Sequence, residues 1–162
     1  MTVTLLTSQS APTATDADAL IIGVFQGADG PVPTPHIDEF DLMGALTALG
    51  ATGKPEEVTK IHTAGQLATP VIAAVGLGEP AGTDGDGRPA YLERLRRAAG
   101  AAARELSSGR PARVAIALPA DEPDEAEAVA LGALLGGYAF SKYRTTGNPP
   151  TDTEQIVHTA HT

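Results

Sequence analysis

Three stretches of the chain are almost entirely apolar, at residues 19–25 (ALIIGVF), 71–78 (VIAAVGLG) and 113–118 (RVAIAL). Apolar runs of this length predict strands that are covered on both faces of a sheet. Two shorter stretches, at residues 2–6 and 58–62, alternate apolar and polar positions and predict two more strands.

The segment TEQIVHT, which starts at residue 153, predicts a last strand, and its polar content favours the edge of the sheet. Helices are predicted at 38–49, 91–106 and 121–144, the first of them capped by Asp38. The Gly- and Pro-rich segment GADGPVPTPHID, at 27–38, predicts a loop.

The alternation of strands and helices over residues 1–162 predicts a single α/β domain. Apolar strands of this kind need helices on both faces of a mixed, largely parallel sheet. The expected architecture is therefore a three-layer sandwich around a sheet of about six strands.

The last predicted helix is apolar almost all the way round. On a helical wheel, Leu131, Leu134 and Leu135 lie on one side, whereas Val129 and Ala133 lie on the other. A helix packed only on a sheet would be polar outside, so a second surface is expected to cover it. A neighbouring helix, an oligomer partner and a further domain are the three candidates for that surface.

Composition and charge limit the classes of function. Eleven Lys and Arg against twenty Asp and Glu leave a net charge of −9, which disfavours nucleic acid and anionic membranes. The chain has no cysteine, no apolar run long enough to cross a bilayer and no basic segment typical of a signal peptide. A cytoplasmic protein without a membrane partner is therefore expected.

Two features carry alternative interpretations. Seven of the basic residues lie between Arg88 and Arg113, and they form either a solvated helix face or a docking stripe for an acidic partner. Gly76 and Gly78 lie at the end of an apolar strand, before a helix, and they form either a phosphate-binding turn or a turn where backbone packs closely on backbone. The sequence has no nucleophile elbow of the Gly-x-Ser-x-Gly type and no carboxylate within an apolar strand, so it indicates no reaction centre.

The segment ALLGGYAFSKYR, at 133–144, resembles the helix that closes the N-terminal domain in the leucine aminopeptidase family, and bacterial members in particular. The matching positions, which are possible interface or packing residues, are Gly136, Tyr138, Phe140, Tyr143 and Arg144. The strand at 71–78 and the arginine-rich helix after it also resemble that domain.

The resemblance implies a macrodomain-like fold and a non-catalytic N-terminal domain, with the catalytic domain absent from this chain. It implies a metal-dependent parent aminopeptidase whose two divalent metal ions, Mn or Zn, are bound in the catalytic domain, and no catalytic, cofactor or metal residue here. The implied partners are that catalytic domain and the sister subunits of a hexamer, and the implied role is in assembly and active-site access. The alternative is a macrodomain-like module that binds ADP-ribose or a related nucleotide near Gly76 and Gly78.

Overall fold

The structure is a computed structural model that describes residues 3–9, 11–80, 87–109, 111–142 and 153–158. The strands within these residues are β1 (Val3–Ser8), β2 (Ala19–Gly27), β3 (Gly30–Thr34), β4 (Val58–His62), β5 (Val71–Gly78), β6 (Arg113–Ala117) and β7 (Thr153–His158). The helices within them are α1 (Leu42–Ala48), α2 (Arg88–Ser107) and α3 (Pro123–Lys142), with a short 3-10 helix at Pro12–Ala14.

The strands of the described residues form one mixed sheet in the order β1-β7-β6-β2-β5-β4, with β3 paired to β2. The neighbours from β1 to β5 in this order run parallel, whereas β4 pairs antiparallel with β5 and β3 antiparallel with β2. All six predicted strands are present, and the predicted fold class is confirmed.

The central strand β2 divides the core into two layers because its successive side chains point to opposite faces. Ile21 contributes to a cluster with α2 and α3, whereas Leu20 and Ile22 contribute to a cluster with α1. All three side chains are fully buried, and each such burial stabilises the fold by about 1.5–3 kcal/mol. Helices therefore cover both faces of the sheet, as predicted.

The prediction of a loop throughout residues 27–38 was wrong, because Gly30–Thr34 forms β3. The four residues Ala19–Ile22 of β2 pair with β6, and the following segment Gly23–Gly27 pairs with β3. Pro31 and Pro33 are two residues apart, so both lack their N–H on the same side of the strand. The other side of β3 keeps the donors that pairing with β2 requires.

Strand β7 was predicted at the edge of the sheet, but it lies between β1 and β6. Its register joins Val3 to Thr153 on one side and Arg113 to Glu154 on the other. The prediction was wrong because β7 pairs through its backbone with β1, which is far away in sequence. The polarity of the side chains of β7 gives no information on that pairing.

The first helix begins later than predicted. Asp41, and not Asp38, caps α1, since its Oδ1 accepts a hydrogen bond from the N–H of Gly44 at 3.0 Å. Leu42 and Leu46 then face the sheet, four residues apart, and Met43 is left half exposed.

Candidate functional site

Helix α3 holds the residues that the sequence singled out, and the structure places them unequally. Gly136 is buried against α2. Tyr138 and Phe140 lie on α3, but their side chains are outside what the structure describes, and Tyr143 and Arg144 lie outside the described residues. Their expected packing or interface role therefore remains a prediction.

Glycines bring the backbones of α2 and α3 into direct contact. A Cβ atom added to Gly132 would overlap the backbone oxygen of Arg96, and one added to Gly136 would overlap the backbone of Gly100. A Cβ on Gly100 would in turn lie 3.1 Å from the backbone oxygen of Gly132. The neighbouring helix, one of the three candidates from the sequence, therefore covers one side of α3.

The opposite side of α3 is not covered by the described residues. Leu131 is 47% exposed and Leu135 is 49% exposed. Val129 and Ala133, on the inner side, are completely buried. The helix is apolar on two sides because one side packs inside this domain, while the other is presented at its surface.

An ionic clamp joins the N-termini of α2 and α3. The guanidinium of Arg88 donates from Nη1 to Glu125 Oε1 at 2.6 Å and from Nε to Asp124 Oδ2 at 3.2 Å. Glu125 is buried, and its Oε2 accepts the backbone N–H groups of Asp121 and Glu122. The sequence did not indicate that Glu125 would be buried.

Tyr91 packs next to this clamp and donates its hydroxyl to the carbonyl oxygen of Pro119 at 2.9 Å. Burial raises the pKa of Tyr91 to about 12, and the negative charges of Glu125 and Asp121 act in the same direction. The phenol is therefore a neutral structural donor at physiological pH.

Substituting Tyr91 with phenylalanine is expected to lower the free energy of unfolding by about 1 kcal/mol at pH 7, because one buried hydrogen bond is lost. Because the pKa of Tyr91 is raised, the wild-type stability is unchanged below pH 10, the usual pKa of tyrosine. It falls as pH rises from 10 towards 12, since the unfolded chain ionises first. The two proteins should thus have equal stability at about pH 11, where the stability that the wild type loses on ionisation of Tyr91 equals the contribution of the hydrogen bond. Urea unfolding across this range measures the difference, and a constant gap between the two proteins would contradict it.

Gly76 and Gly78 lie at the end of β5, and the segment at residues 53–57 packs directly on them. The N–H of Gly76 donates to the Glu57 carbonyl at 2.8 Å, and the N–H of Gly78 donates to the Gly53 carbonyl at 2.8 Å. A Cβ on Gly76 would overlap the backbone oxygen of Lys54. These amides are already hydrogen-bonded, so the geometry supports close backbone packing at the end of β5 and not a phosphate-binding turn.

Several arginines of the basic segment are hydrogen-bonded to groups of the chain itself. Glu93 accepts from Nε of Arg96 and from Nε of Arg97, both at 2.8 Å. The hydrogen bond from Arg96, followed by that from Arg97, lowers the pKa of Glu93 to about 2. Nη1 of Arg94 donates to the carbonyl of Glu79 at 2.7 Å. These pairs favour a solvated helix face over a docking stripe.

Two further findings concern metal binding and membrane-spanning helices. Among the described residues, no three His, Asp or Glu side chains come together as they would in a metal site. No helix in the described part of the chain combines the length and the apolar character that crossing a bilayer requires.

Comparison with known proteins identifies the family. Residues 21–147 match the sequence profile of the "cytosol aminopeptidase family, N-terminal domain". The chain is 46% identical over 150 residues to a probable cytosol aminopeptidase of Streptomyces griseus, a match that covers 88% of this chain and 28% of the relative. A probable cytosol aminopeptidase of Streptomyces coelicolor is 42% identical over 152 residues, covering 90% and 28%. The chain thus spans about a quarter of the length of these curated relatives.

Solved structures share the fold at low sequence identity. A tomato leucine aminopeptidase variant superposes with a TM-score of 0.73 at 20% identity, over 99% of this chain and 33% of that one. The macro domain of ganglioside induced differentiation associated protein 2 gives a TM-score of 0.61 at 13% identity, over 98% and 77%. These likenesses confirm the macrodomain-like fold, and the sequence matches show that the chain belongs to the cytosol aminopeptidase family, of which it carries the N-terminal domain.

Proposed function

We propose that this chain is the non-catalytic N-terminal domain of a cytoplasmic, metal-dependent leucyl aminopeptidase, which removes N-terminal residues from peptides. The observation that carries the proposal is the match of residues 21–147 to the N-terminal domain of the family. The relatives named as probable cytosol aminopeptidases extend well beyond the matched region, which leaves room in them for a separate catalytic part.

In this proposal the chemistry belongs to the catalytic part. Two divalent metal ions, Mn or Zn, would be held there and would activate the water that attacks the peptide bond. The described residues do not fit such a centre, since they bring together no cluster of metal-ligating side chains. Glu125, the buried carboxylate, is occupied by Arg88 and by two backbone amides.

The proposed role of this domain is in oligomer assembly and access to the active sites. Such a role needs a rigid body whose surface keeps its shape. The glycine contact between α2 and α3 and the ionic clamp of Arg88 with Glu125 support that rigidity. The partners in this proposal are the catalytic part and the sister subunits of a hexamer.

The test compares the 162-residue chain with the full-length gene product. The chain alone is expected not to hydrolyse leucine p-nitroanilide with added Mn²⁺ or Zn²⁺, whereas the full-length protein should hydrolyse it and lose activity to a chelator. Sedimentation of the same full-length sample should give the mass of six copies. Metal-stimulated turnover by the purified chain would refute the non-catalytic assignment, and a full-length protein without activity would refute the enzyme assignment.

A further inference from the structure

A cleft opens between the loop that joins α1 to β4 and the first turns of α2. Its volume is about 250 Å³, and its lining residues are Pro55 and Glu56 from the loop and Ala90, Glu93, Arg94 and Arg97 from the helix. Pockets that hold drug-sized molecules have volumes of roughly 300–1,000 Å³. The cleft therefore suits a smaller ligand, of the size of a single metabolite.

Gly78, at the end of β5, lies where the two walls of the cleft meet. A Cβ atom added there would lie 3.0 Å from Cγ of Pro55 on the loop and 3.6 Å from Cζ of Arg94 on the helix. The φ of Gly78 is 77°, a conformation that favours glycine. A side chain at this position would contact both walls, so the glycine leaves the space between them open.

The loop wall carries a carboxylate on a strained backbone. Glu56 has a φ of 64°, which is uncommon for a residue other than glycine, and its N–H donates to the carbonyl of Gly76 at 3.0 Å. Strain of this kind is often kept at sites that bind ligands. The side chain of Glu56 is exposed and accepts no hydrogen bond from the described residues. Its oxygens can therefore receive a cationic group in the cleft.

The helix wall carries two guanidinium groups, which lie three residues apart and so on the same face of α2. Nη1 of Arg94 donates to the carbonyl of Glu79 at 2.7 Å, and Nε of Arg97 donates to Glu93 at 2.8 Å. These bonds orient the two side chains and leave further N–H donors on each, since a guanidinium has several. Glu93 is occupied, because it also accepts from Arg96. This wall therefore offers positive charge to the cleft.

The charges of the two walls limit the class of ligand. A simple anion would be repelled by Glu56, and a simple cation would be repelled by Arg94 and Arg97. A free amino acid carries an ammonium and a carboxylate on one carbon, so it can satisfy both walls. Pro55 and Ala90 add apolar surface, which favours an apolar side chain on the ligand.

We propose that this cleft binds a free amino acid with an apolar side chain. The α-carboxylate of the ligand accepts hydrogen bonds from Arg94 and Arg97, and its α-ammonium donates to Glu56. The side chain of the ligand packs on Pro55 and Ala90. Because the cleft lies wholly within this chain, the inference does not depend on the proposed function.

The experiment titrates the ¹⁵N-labelled 162-residue chain with leucine and follows the backbone amides by NMR. The amides of Glu56, Gly78 and Arg94 are expected to shift with a Kd on the order of 1 mM, because the charged groups of the cleft are exposed to water. Unchanged amides at about 20 mM leucine would overturn the proposal.

Two analogues of leucine test the recognition of both charges. 4-Methylpentanoate lacks the ammonium and leucinamide lacks the carboxylate, so each is expected to bind about fivefold more weakly than leucine. If 4-methylpentanoate or inorganic phosphate shifted the same amides with the affinity of leucine, the cleft would be an anion site only, and the proposal would be wrong.

Arg97→Gln is expected to weaken leucine binding about fivefold, because one of the two cations is lost. Glu93 keeps its bond to Arg96 in this variant, so the fold should persist, and thermal unfolding checks this. Arg104→Gln is the matched control, since it removes the same charge from an exposed position of the same helix that does not line the cleft.

The control should bind leucine as the wild type does, and an equal loss in both arginine variants would contradict recognition within the cleft. Glu56→Gln provides a second variant at an exposed position, and it should weaken leucine binding to a similar extent while the affinity for 4-methylpentanoate does not fall. Wild-type affinity for leucine in both Arg97→Gln and Glu56→Gln would overturn the proposal.

Discussion

Substituting Gly76 with alanine is expected to lower the free energy of unfolding by about 3–5 kcal/mol, near the upper limit for a single substitution. The added methyl group would overlap the backbone oxygen of Lys54, which is part of a turn and has no flexible side chain to give way. Moving that turn would break the hydrogen bonds that Gly76 makes with the backbones of Glu56 and Glu57. Each of these bonds stabilises the fold by about 0.5–1.5 kcal/mol.

Thermal unfolding of the 162-residue chain measures this effect as a lowering of the midpoint by about 10 °C. Gly109→Ala is the control, because its Cβ would lie 3.6 Å from the Leu106 oxygen, an ordinary van der Waals contact. That control should stay within about 1 kcal/mol of the wild type. A Gly76→Ala protein as stable as the control would show that the turn at Lys54 does not pack on β5 as described.

Substituting Gly132 with alanine is expected to destabilise the chain by about 2–3 kcal/mol, because the methyl group would force α2 and α3 apart at the Arg96 backbone. Alanine favours a helix over glycine by about 1 kcal/mol, so the steric cost must exceed this gain. The sign of the result therefore separates close packing from helix propensity.

Urea unfolding at pH 7 measures this difference, with Gly100→Ala as the comparison from the same contact. A Cβ on Gly100 would lie 3.1 Å from the Gly132 oxygen, a distance that small shifts can relieve. Its expected cost is about 1 kcal/mol or less. If Gly132→Ala instead stabilised the chain, the two helices could not be in backbone contact at that residue.

The hydrophobic pattern predicted the strands and helices well where burial alone decides them. The runs at 19–25, 71–78 and 113–118 became β2, β5 and β6, because a strand covered on both faces must be apolar throughout. The pattern failed at β3, where the prolines of GPVPT indicated a loop. Pairing with β2 makes this segment a strand, and that pairing depends on where β6 ends.

The candidate site was only partly predictable. The two-sided apolar pattern of α3 indicated that a second surface covers it, and Gly136 does contact α2. The clamp of Arg88 with Glu125 was not predicted, because these residues are far apart in sequence. A buried carboxylate becomes recognisable only when its cationic partner is known.

The sequence by itself determined the α/β class, the number of layers and the two-sided apolar character of α3, since all three follow from local periodicity and burial. Only the tertiary structure decided the order of strands, the interior position of β7 and which side of α3 is covered. These depend on pairings between residues far apart in the chain, and hydrogen bonding between backbones is the same whatever side chains they carry.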